Sequence, residues 1–189
     1  MAAINNGKKT CPSMHIVLQS GSNFILKRMN RKYTRQQFFT ALDTLKSHNK
    51  DFTFTTDIIV GFPGESDADF AATLAVIEEV GFAKVHMFPY SKRERTKAAT
   101  YQDSVPATTI HQRKQILLRA AEKAAYQLRE QFIGRDLTVL WESIEGEEIF
   151  GHTENFLPVY ALKQGLAPNT ISTVKISGNR PTGLVGRCE

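Results

Sequence analysis

A lone carboxylate interrupts the most apolar stretch of this chain of 189 residues. The stretch from Phe54 to Val60 is rich in β-branched residues, as expected for a parallel strand that is covered on both faces. Asp57 lies within it, and a buried carboxylate destabilises a fold by several kcal/mol unless it is paired. Asp57 therefore either binds a ligand or caps a neighbouring loop, and the sequence favours neither interpretation.

The loop after this strand has the composition of a ligand-binding turn. Gly61 and Gly64 permit backbone torsions that are closed to other residues, and Pro63 stiffens the turn between them. Ser66, with Asp69 three residues later, predicts a capped helix whose first N–H groups face the loop. The pattern predicts a strand, a loop and a helix, with the loop free to approach a ligand.

Two further strands and another helix must position this loop. Met14 to Leu18 predicts a strand, Thr34 with Gln37 predicts a capping box, and Lys84 to Phe88 predicts a third strand after a helix that Gly81 ends. Alternating strands and helices predict a parallel sheet with right-handed crossovers, on which ligands bind at the carboxyl ends of the strands. Those ends are residues 19–22, 61–65 and 89–91.

The second half of the chain has a different pattern of secondary-structure signals. Pro106, as a first helical residue, predicts a long helix to about Phe132. From Arg135 onward, short β-rich runs alternate with turn signals, one of them Gly178-Asn179, at the spacing of a small antiparallel barrel. The predicted strands are 137–141, 148–152, 156–161, 170–176 and 183–185.

These elements predict an α/β chain with two domains. Residues 1–132 form three parallel strands with helices and a long linking helix, and residues 133–189 form a small all-β barrel. Three strands are too few to close a (β/α) barrel and leave a sheet edge exposed, so we expect a missing N-terminal part, or self-association of the chain alone. Residues 1–9 fit the end of a preceding helix.

Composition and charge limit the kinds of partner that this chain is expected to bind. Residues 91–132 contain nine Lys/Arg and four Asp/Glu, a net of +5, whereas residues 1–90 carry ten against eight and residues 133–189 five against seven. A polyanion is expected to meet the middle segment first. No run approaches the length of a membrane span and no signal peptide is evident, and the two cysteines, Cys11 and Cys188, have no metal-binding spacing. We expect a cytoplasmic protein without a membrane partner and without a metal site of its own.

Four motifs carry a family resemblance. They are Leu18–Ser22, Leu26–Arg31, Thr56–Glu65 and Phe88–Ser91, and together they resemble the second half of the radical S-adenosylmethionine (SAM) methylthiotransferases. Residues 133–185 resemble the RNA-binding TRAM domain of these enzymes. Within the family, 151–156 (Gly-His-Thr-Glu-Asn-Phe) resembles the branch that modifies C2 of N6-threonylcarbamoyladenosine beside the tRNA anticodon, with the isopentenyladenosine and ribosomal-protein branches as alternatives.

The resemblance implies part of a SAM site. Arg31 would bind the amino-acid carboxylate, because its planar fork bonds both oxygens, although a solvated position in the basic run is the alternative. Asp57 would serve the ribose or the amino-acid end, and Ile59 and Gly61 would flank the adenine. The residues implied to bind the cofactor are Gln19, Ser20, Arg31, Asp57, Ile59 and Gly61.

Two departures from the family pattern limit what this chain can do alone. The family loop Arg-Pro-Gly-Thr is replaced by Arg93-Glu94-Arg95-Thr96, which alters the loop backbone. The Cys-x3-Cys-x2-Cys motif that binds a [4Fe–4S] cluster is absent, as are the cysteines of the second cluster. We therefore expect the isolated chain to hold no cluster and to be inactive.

The implied macromolecular partner is a tRNA anticodon stem-loop. Arg93, Arg95 and Lys97 in the basic loop, with Arg135 and Lys175 in the barrel, are the predicted RNA-binding cations. Phe150, Phe156 and Tyr160 are either stacking surfaces for RNA or core residues of the barrel. The N-terminal half as a separate chain is a second predicted partner, and a non-catalytic RNA-binding module or a truncated gene remain alternative interpretations.

Overall fold

A long helix joins two β-structures in this protein. The computed structural model describes residues 10–187 and contains a three-stranded parallel sheet and a closed five-stranded barrel. This mixed α/β architecture confirms the predicted sheet and barrel, whereas the domain limits stay a prediction. The predicted helix end at residues 1–9, and Cys188, lie outside the described residues.

The sheet has the order β1-β2-β3, with every pair of neighbouring strands parallel. Thr34 and Ser66 both form the predicted capping boxes, with Gln37 and Asp69. Gly81 ends its helix in the left-handed conformation, at a φ of 65°. The elements are β1 Ser13–His15, α1 Asn23–Arg28, α2 Arg35–His48, β2 Thr53–Val60, α3 Asp67–Val80 and β3 Lys84–Pro89.

Two predictions for residues 14–28 need correction. The strand predicted for Met14 to Leu18 covers only Ser13–His15, because the amide of Leu18 donates to the Thr56 hydroxyl (2.9 Å) and not to a backbone carbonyl of β2. Pairing resumes only as an isolated bridge between Gln19 and Ile58. The basic stretch that follows begins inside α1, which the prediction missed and which is capped by the side chain of Ser22.

The linking helix and the barrel form the second half. The helix α4 spans Ala107–Glu130, with Pro106 as its N-cap and not its first helical residue. The barrel has the order β4-β5-β6-β8-β7. Gly178-Asn179 was wrongly predicted as a turn: these residues lie inside β7 and pair with Val185 and Leu184 of the neighbouring strand, after a register shift at Ser177. The strands are β4 Asp136–Glu145, β5 Glu148–Thr153, β6 Pro158–Leu162, β7 Ile171–Arg180 and β8 Gly183–Arg187.

The barrel is attached to the N-terminal end of the parallel strands. Arg135 forms a two-pronged ion pair with Asp51, one contact of which measures 2.9 Å. The Asn155 side chain donates to the Asp51 carbonyl (3.0 Å), and the Thr53 hydroxyl donates to the Asn155 carbonyl. Arg129, near the end of α4, is buried and donates to the Asn179 side chain (3.0 Å). Hydrogen bonds between the barrel and the rest of the chain therefore stabilise the junction.

Among residues 10–187, no helix combines the length and the apolar character that crossing a membrane requires.

Candidate active site and nucleic-acid interface

A cavity of about 930 Å³ opens at the carboxyl ends of the parallel strands. Gln19, helix α1, the end of β2, the end of β3 and the basic loop after β3 all contribute to its wall. This is the edge at which the strand order predicted a ligand. The lining residues used below are Gln19, Lys27, Arg28, Arg31, Ile59, Phe62, Tyr90, Arg93, Lys97 and Tyr101.

Three of the six predicted cofactor residues meet in this cavity. Arg31 donates from Nη2 to the side-chain oxygen of Gln19 at 2.7 Å. Gln19 is fixed on β2 by backbone hydrogen bonds to Asp57 (2.8 Å) and Ile59 (3.0 Å), and its φ of 65° turns the chain out of the strand. The guanidinium of Arg31 has no carboxylate partner in the described part of the chain, so an acidic ligand group can bind it.

Ser20 and Gly61 lie beside the cavity but do not line it. The Ser20 hydroxyl is buried, lies 3.4 Å from the Thr73 hydroxyl and accepts the Ser22 N–H at 3.2 Å. Gly61 has a φ of 76°, and a Cβ there would clash with the side chain of Ile110. Both residues therefore have a structural explanation in this fold, and their predicted contact with a cofactor stays a prediction.

Asp57 is less buried than its sequence context suggested. Its side chain is 29% exposed and lies 3.5 Å from His15 Nε2. The side chain of Asp57 projects from the face of β2 opposite Ile58, because successive residues of a strand face opposite sides. His86 is its partner in β3, and the rings of His15 and His86 lie 6.0 Å apart. The carboxylate thus has a polar neighbour, and neither ligand binding nor capping is needed to explain it.

The cavity is strongly cationic. Lys27, Arg28, Arg31, Arg93 and Lys97 all line it, and no Asp or Glu is among its lining residues. Only Arg28 has a carboxylate partner, Asp103, at 2.8 Å. Four of the five cations therefore face the cavity without an anionic partner in the described part of the chain, which is the electrostatic environment of an anion-binding site.

Aromatic side chains form another part of the wall. Phe62 packs edge-on against Tyr90 at 5.1 Å, and Arg28 lies 4.2 Å above the ring of Tyr101. The Tyr90 hydroxyl is buried and has no hydrogen-bond partner among the described residues. A buried hydroxyl without a partner is costly, so it favours a bound ligand at this wall. Sequence reasoning missed Tyr90 and Lys27, although Tyr90 belongs to the motif Phe88–Ser91.

A buried ion pair supports the loop at the cavity edge. Arg113 of α4 donates to Glu65 Oε2 and Asp67 Oδ1, both at 2.7 Å, and Glu65 Oε2 also accepts the Gly61 N–H at 2.9 Å. Burial raises the pKa of Glu65, while the Gly61 hydrogen bond and the charge of Arg113 oppose the rise. The signal was present in the sequence, because Arg113 falls between Ile110 and Leu117 on the apolar face of the helix.

The +5 segment is therefore not a uniform cationic surface. Two of its nine cations, Arg113 and Arg129, are buried and bonded within the protein. Arg93, Arg95 and Lys97 are all exposed, and of these three Arg93 and Lys97 line the cavity. Arg95, which has a φ of 66°, does not line it. Some cations of this segment therefore stabilise the fold through buried hydrogen bonds, and others line the cavity.

The two predicted RNA-binding cations of the barrel lie elsewhere. The hydrogen bond that Arg135 donates to the Asp51 carboxylate raises the pKa of Arg135, whose guanidinium is thereby held at the junction. Lys175 is exposed on β7, across from Asp136 and Arg187. Their roles in RNA binding stay predictions, as do those of the three loop cations.

Phe150, Phe156 and Tyr160 do not belong to the core of the barrel. Trp141, Val139 and Ile176 are buried inside, whereas Phe150 and Tyr160 are half-buried on the outer face and Phe156 is exposed. The alternative of core packing, which the sequence left open for these three aromatic residues, is therefore wrong. The physical reason is the alternation of the strands, since Ile149 and Gly151 occupy the inward positions on either side of Phe150.

Comparison with known proteins identifies a family and several relatives of this chain. A family model described as the radical SAM superfamily matches residues 3–77. A threonylcarbamoyladenosine tRNA methylthiotransferase of Chlamydia pneumoniae is 44% identical over 97% of this chain, and one of Thermotoga maritima is 43% identical over 74%. A tRNA-2-methylthio-N(6)-dimethylallyladenosine synthase of Thermobifida fusca is 36% identical over 98%.

The sheet, its cavity and the family match together define a radical SAM protein. More narrowly, the chain belongs to the radical SAM methylthiotransferase family, which confirms the resemblance of its motifs. The chain spans only 44%, 32% and 39% of the length of the three relatives named above. The match therefore covers less than half of each of these relatives.

The residues present fit one of the cofactors that this family implies and not the other. Arg31 and Gln19 provide a guanidinium and an amide at the cavity, which suit the charged amino-acid end of SAM. A [4Fe–4S] cluster needs several thiolate ligands, and the sequence has two cysteines with no suitable spacing. Within residues 10–187, no group of three or more His, Cys, Asp or Glu side chains could hold a metal ion.

Proposed function

We propose that this chain is the C-terminal portion of a tRNA methylthiotransferase. It would supply part of the SAM pocket and much of the RNA-contacting surface for adding a methylthio group to C2 of N6-threonylcarbamoyladenosine beside the anticodon. The observation that carries the proposal is a cavity in which the Gln19–Arg31 pair lies beside cations that have no carboxylate partners. The relatives named for threonylcarbamoyladenosine, at 43–44% identity, support this branch over the dimethylallyladenosine synthase at 36%.

The chemistry of the lining residues divides them into those that can bind the cofactor and those that cannot. SAM and the iron–sulfur clusters supply the radical and sulfur chemistry when they are bound in the complete protein. Arg31 binds the amino-acid carboxylate through its fork, and Gln19 holds the guanidinium in position at 2.7 Å. Ile59 offers an apolar surface to the adenine ring. This leaves Lys27, Arg93 and Lys97 without a role in cofactor binding.

The surplus cations fit the phosphates of an RNA substrate. SAM carries a positive sulfonium, so three cations beyond Arg31 oppose its binding unless another anion neutralises them. A substrate nucleotide that enters the same cavity brings phosphates on both sides of its base. Lys27 lies on α1 and Arg93 and Lys97 in the facing loop, so the three cations approach such a backbone from two sides.

The barrel fits a TRAM domain, and a non-catalytic RNA-binding module is the second candidate function. Under that second candidate, the chain keeps the fold and binds RNA without the cluster-binding cysteines. The complete protein, or a separate N-terminal chain as a partner, restores the cysteines and distinguishes the two. Turnover by a reconstituted pair of chains supports the enzyme, and RNA binding that never leads to turnover supports the module.

The charge of the cavity provides the direct test of RNA binding. We expect Arg93→Ala/Lys97→Ala to weaken binding of a synthetic anticodon stem-loop and to reduce the salt dependence by about one unit per lost phosphate contact. Arg119→Ala/Lys123→Ala is the matched control, because it removes the same charge from exposed positions on α4. Titrations at several salt concentrations measure both quantities. Equal losses in the two variants, or no loss in the cavity variant, would contradict the proposal.

A further inference from the structure

The turn between β5 and β6 presents two stacked rings to solvent. The rings of His152 and Phe156 are 4.4 Å apart and inclined by only 6°. Phe156 is 52% exposed, so one ring of the pair remains accessible. Two flat rings with an exposed surface form a platform on which a third flat group can stack.

The conformation of Phe156 is unfavourable for its residue type. Its φ is 60°, in the left-handed region that glycine and asparagine adopt readily and bulky side chains avoid. Its ring also gains little from burial, because half of it remains in water. A strained backbone at an exposed aromatic residue lowers the stability of the fold, and strain of this kind clusters at binding sites.

Hydrogen bonds on both sides hold the turn in this shape. Thr153 accepts the Phe156 N–H through its carbonyl and the Leu157 N–H through its hydroxyl, both at 2.9 Å. Asn155 is buried, and its side chain donates to the Asp51 carbonyl at 3.0 Å. The Thr53 hydroxyl donates to the Asn155 carbonyl. The position of the Phe156 ring is therefore fixed relative to the parallel sheet as well as to the barrel.

The surroundings of the platform select an uncharged, flat ligand. Two more rings extend the row. The ring of Phe150 lies 5.0 Å from that of His152, and the ring of Tyr160 lies 4.9 Å from that of Phe150. The polar groups along the row are already paired, Glu142 with His152 at 2.9 Å and Glu148 with Arg180 at 2.8 Å. A phosphate finds no free cation among these pairs, whereas the face of a nucleobase needs none.

We propose that the His152–Phe156 platform stacks an unpaired base of the RNA that the cavity binds, a role that rests on the proposed function. The cavity supplies the charge contacts and the platform supplies one stacking contact on the other side of the molecule. Loss of one base–aromatic stack weakens binding by roughly 5- to 100-fold and leaves the number of phosphate contacts unchanged. The two sites are therefore separable, because only the cavity affects the salt dependence.

Phe156→Asn is the decisive variant, because asparagine tolerates a positive φ and removes the ring. We expect it to unfold at the same or a higher denaturant concentration than the wild type while its affinity for the stem-loop falls by roughly 5- to 100-fold, at an unchanged salt slope. Phe156→Tyr keeps the ring and should retain the affinity. Ile116→Gln, which changes a 47% exposed apolar residue on α4, is the control.

A fluorescent base identifies the stacked position. The probe is the same stem-loop with 2-aminopurine placed at each loop position in turn, and the wild type should quench one position that Phe156→Asn does not. Unchanged affinity and unchanged quenching in Phe156→Asn would overturn the platform while leaving the cavity proposal intact; this is also the result expected if the rings bind a protein. A wild-type chain that binds no stem-loop would overturn both proposals.

Discussion

The two ends of the parallel sheet differ in how far their polar groups are satisfied. At the N-terminal end, Asp51 and Thr53 make hydrogen bonds to Arg135 and Asn155 of the barrel. At the carboxyl end, four cations line a cavity without carboxylate partners, and the Tyr90 hydroxyl has no partner within the described part of the chain. One strand, β2, connects the two ends over about 23 Å, from Thr53 to Val60.

This difference favours a structural role for the N-terminal end and ligand binding at the carboxyl end. A buried hydroxyl is nearly always paired, so the unpaired Tyr90 hydroxyl favours a ligand there, and the four exposed cations add a positive potential that attracts an anion. The basic loop lies at the carboxyl end of the sheet and the barrel at its N-terminal end. Helix α4, about 36 Å long, carries the chain from one end to the other, so an RNA that contacts both must extend along the sheet.

The largest expected effect concerns the buried ion pair beside the cavity. Arg113→Met should lower the free energy of unfolding by about 3–5 kcal/mol, because it leaves the buried Glu65 carboxylate without its cationic partner. Their side chains are only 6% and 1% exposed, so water cannot replace the arginine. Urea unfolding measures the change.

Two further variants show whether the charge itself is the cause. Arg113→Met/Glu65→Gln removes both charges and keeps an acceptor for the Gly61 N–H, so it should be less destabilised than Arg113→Met alone. Asp67→Asn removes the exposed carboxylate of the same arginine and should cost less than about 1 kcal/mol. If the double variant is no more stable than the single one, lost packing explains the effect and the cavity edge does not depend on this pair.

An intermediate effect is expected at the barrel junction. Asn155→Ala should lower the free energy of unfolding by about 1–3 kcal/mol, because it removes the donor to the Asp51 carbonyl at a buried position. Asn23→Ala is the control: Asn23 also makes two side-chain hydrogen bonds, to Gln36 and Arg35, but both are exposed and water can replace them. Equal losses in the two variants would show that the N-terminal end is no more structural than the surface.

The smallest expected effect is a pH dependence of the same junction. The hydrogen bond from Arg135 lowers the pKa of Asp51 below its ordinary value of 3.8. The ion pair therefore stabilises the folded protein above pH 3.8, and this contribution is lost as the pH falls through the lower pKa of the folded state. Because both groups are partly exposed, the contribution at pH 7 is below about 1 kcal/mol.

Denaturant unfolding of the wild type and Asp51→Asn between pH 7 and pH 3 measures this contribution. The difference in stability between the two proteins should be constant at neutral pH and shrink in acid. Asp43→Asn, which removes another carboxylate from the neighbouring helix α2, controls for the loss of one negative charge. A difference that grows in acid would have the wrong sign for a lowered pKa and would exclude the ion pair as its source.

Local sequence signals predicted much of the fold. The capping boxes at Thr34 and Ser66 formed as expected because each needs only residues within one turn of helix. The strand β2 and the five barrel strands followed from patterns a few residues long. Turn signals failed where pairing with a distant strand prevailed, as at Gly178-Asn179, because the ladder between β7 and β8 absorbs both residues.

The sequence by itself determined the order of the strands, the capped helices α2 and α3 and the family motifs, because these depend on neighbours along the chain or on motif identity. It named Gln19 and Arg31 separately, from two motifs, and the hydrogen bond between them forms only in the fold. Tertiary structure alone decided which cations face the cavity. Arg113 and Arg129 belong to the same basic segment as Arg93 and Lys97, yet the first two are buried against Glu65 and Asn179. It also gave Asp57 a histidine neighbour and placed Phe156 beside His152. A charge count along the chain cannot distinguish these cases, since burial and partner depend on residues that lie far apart in sequence and meet only in the fold.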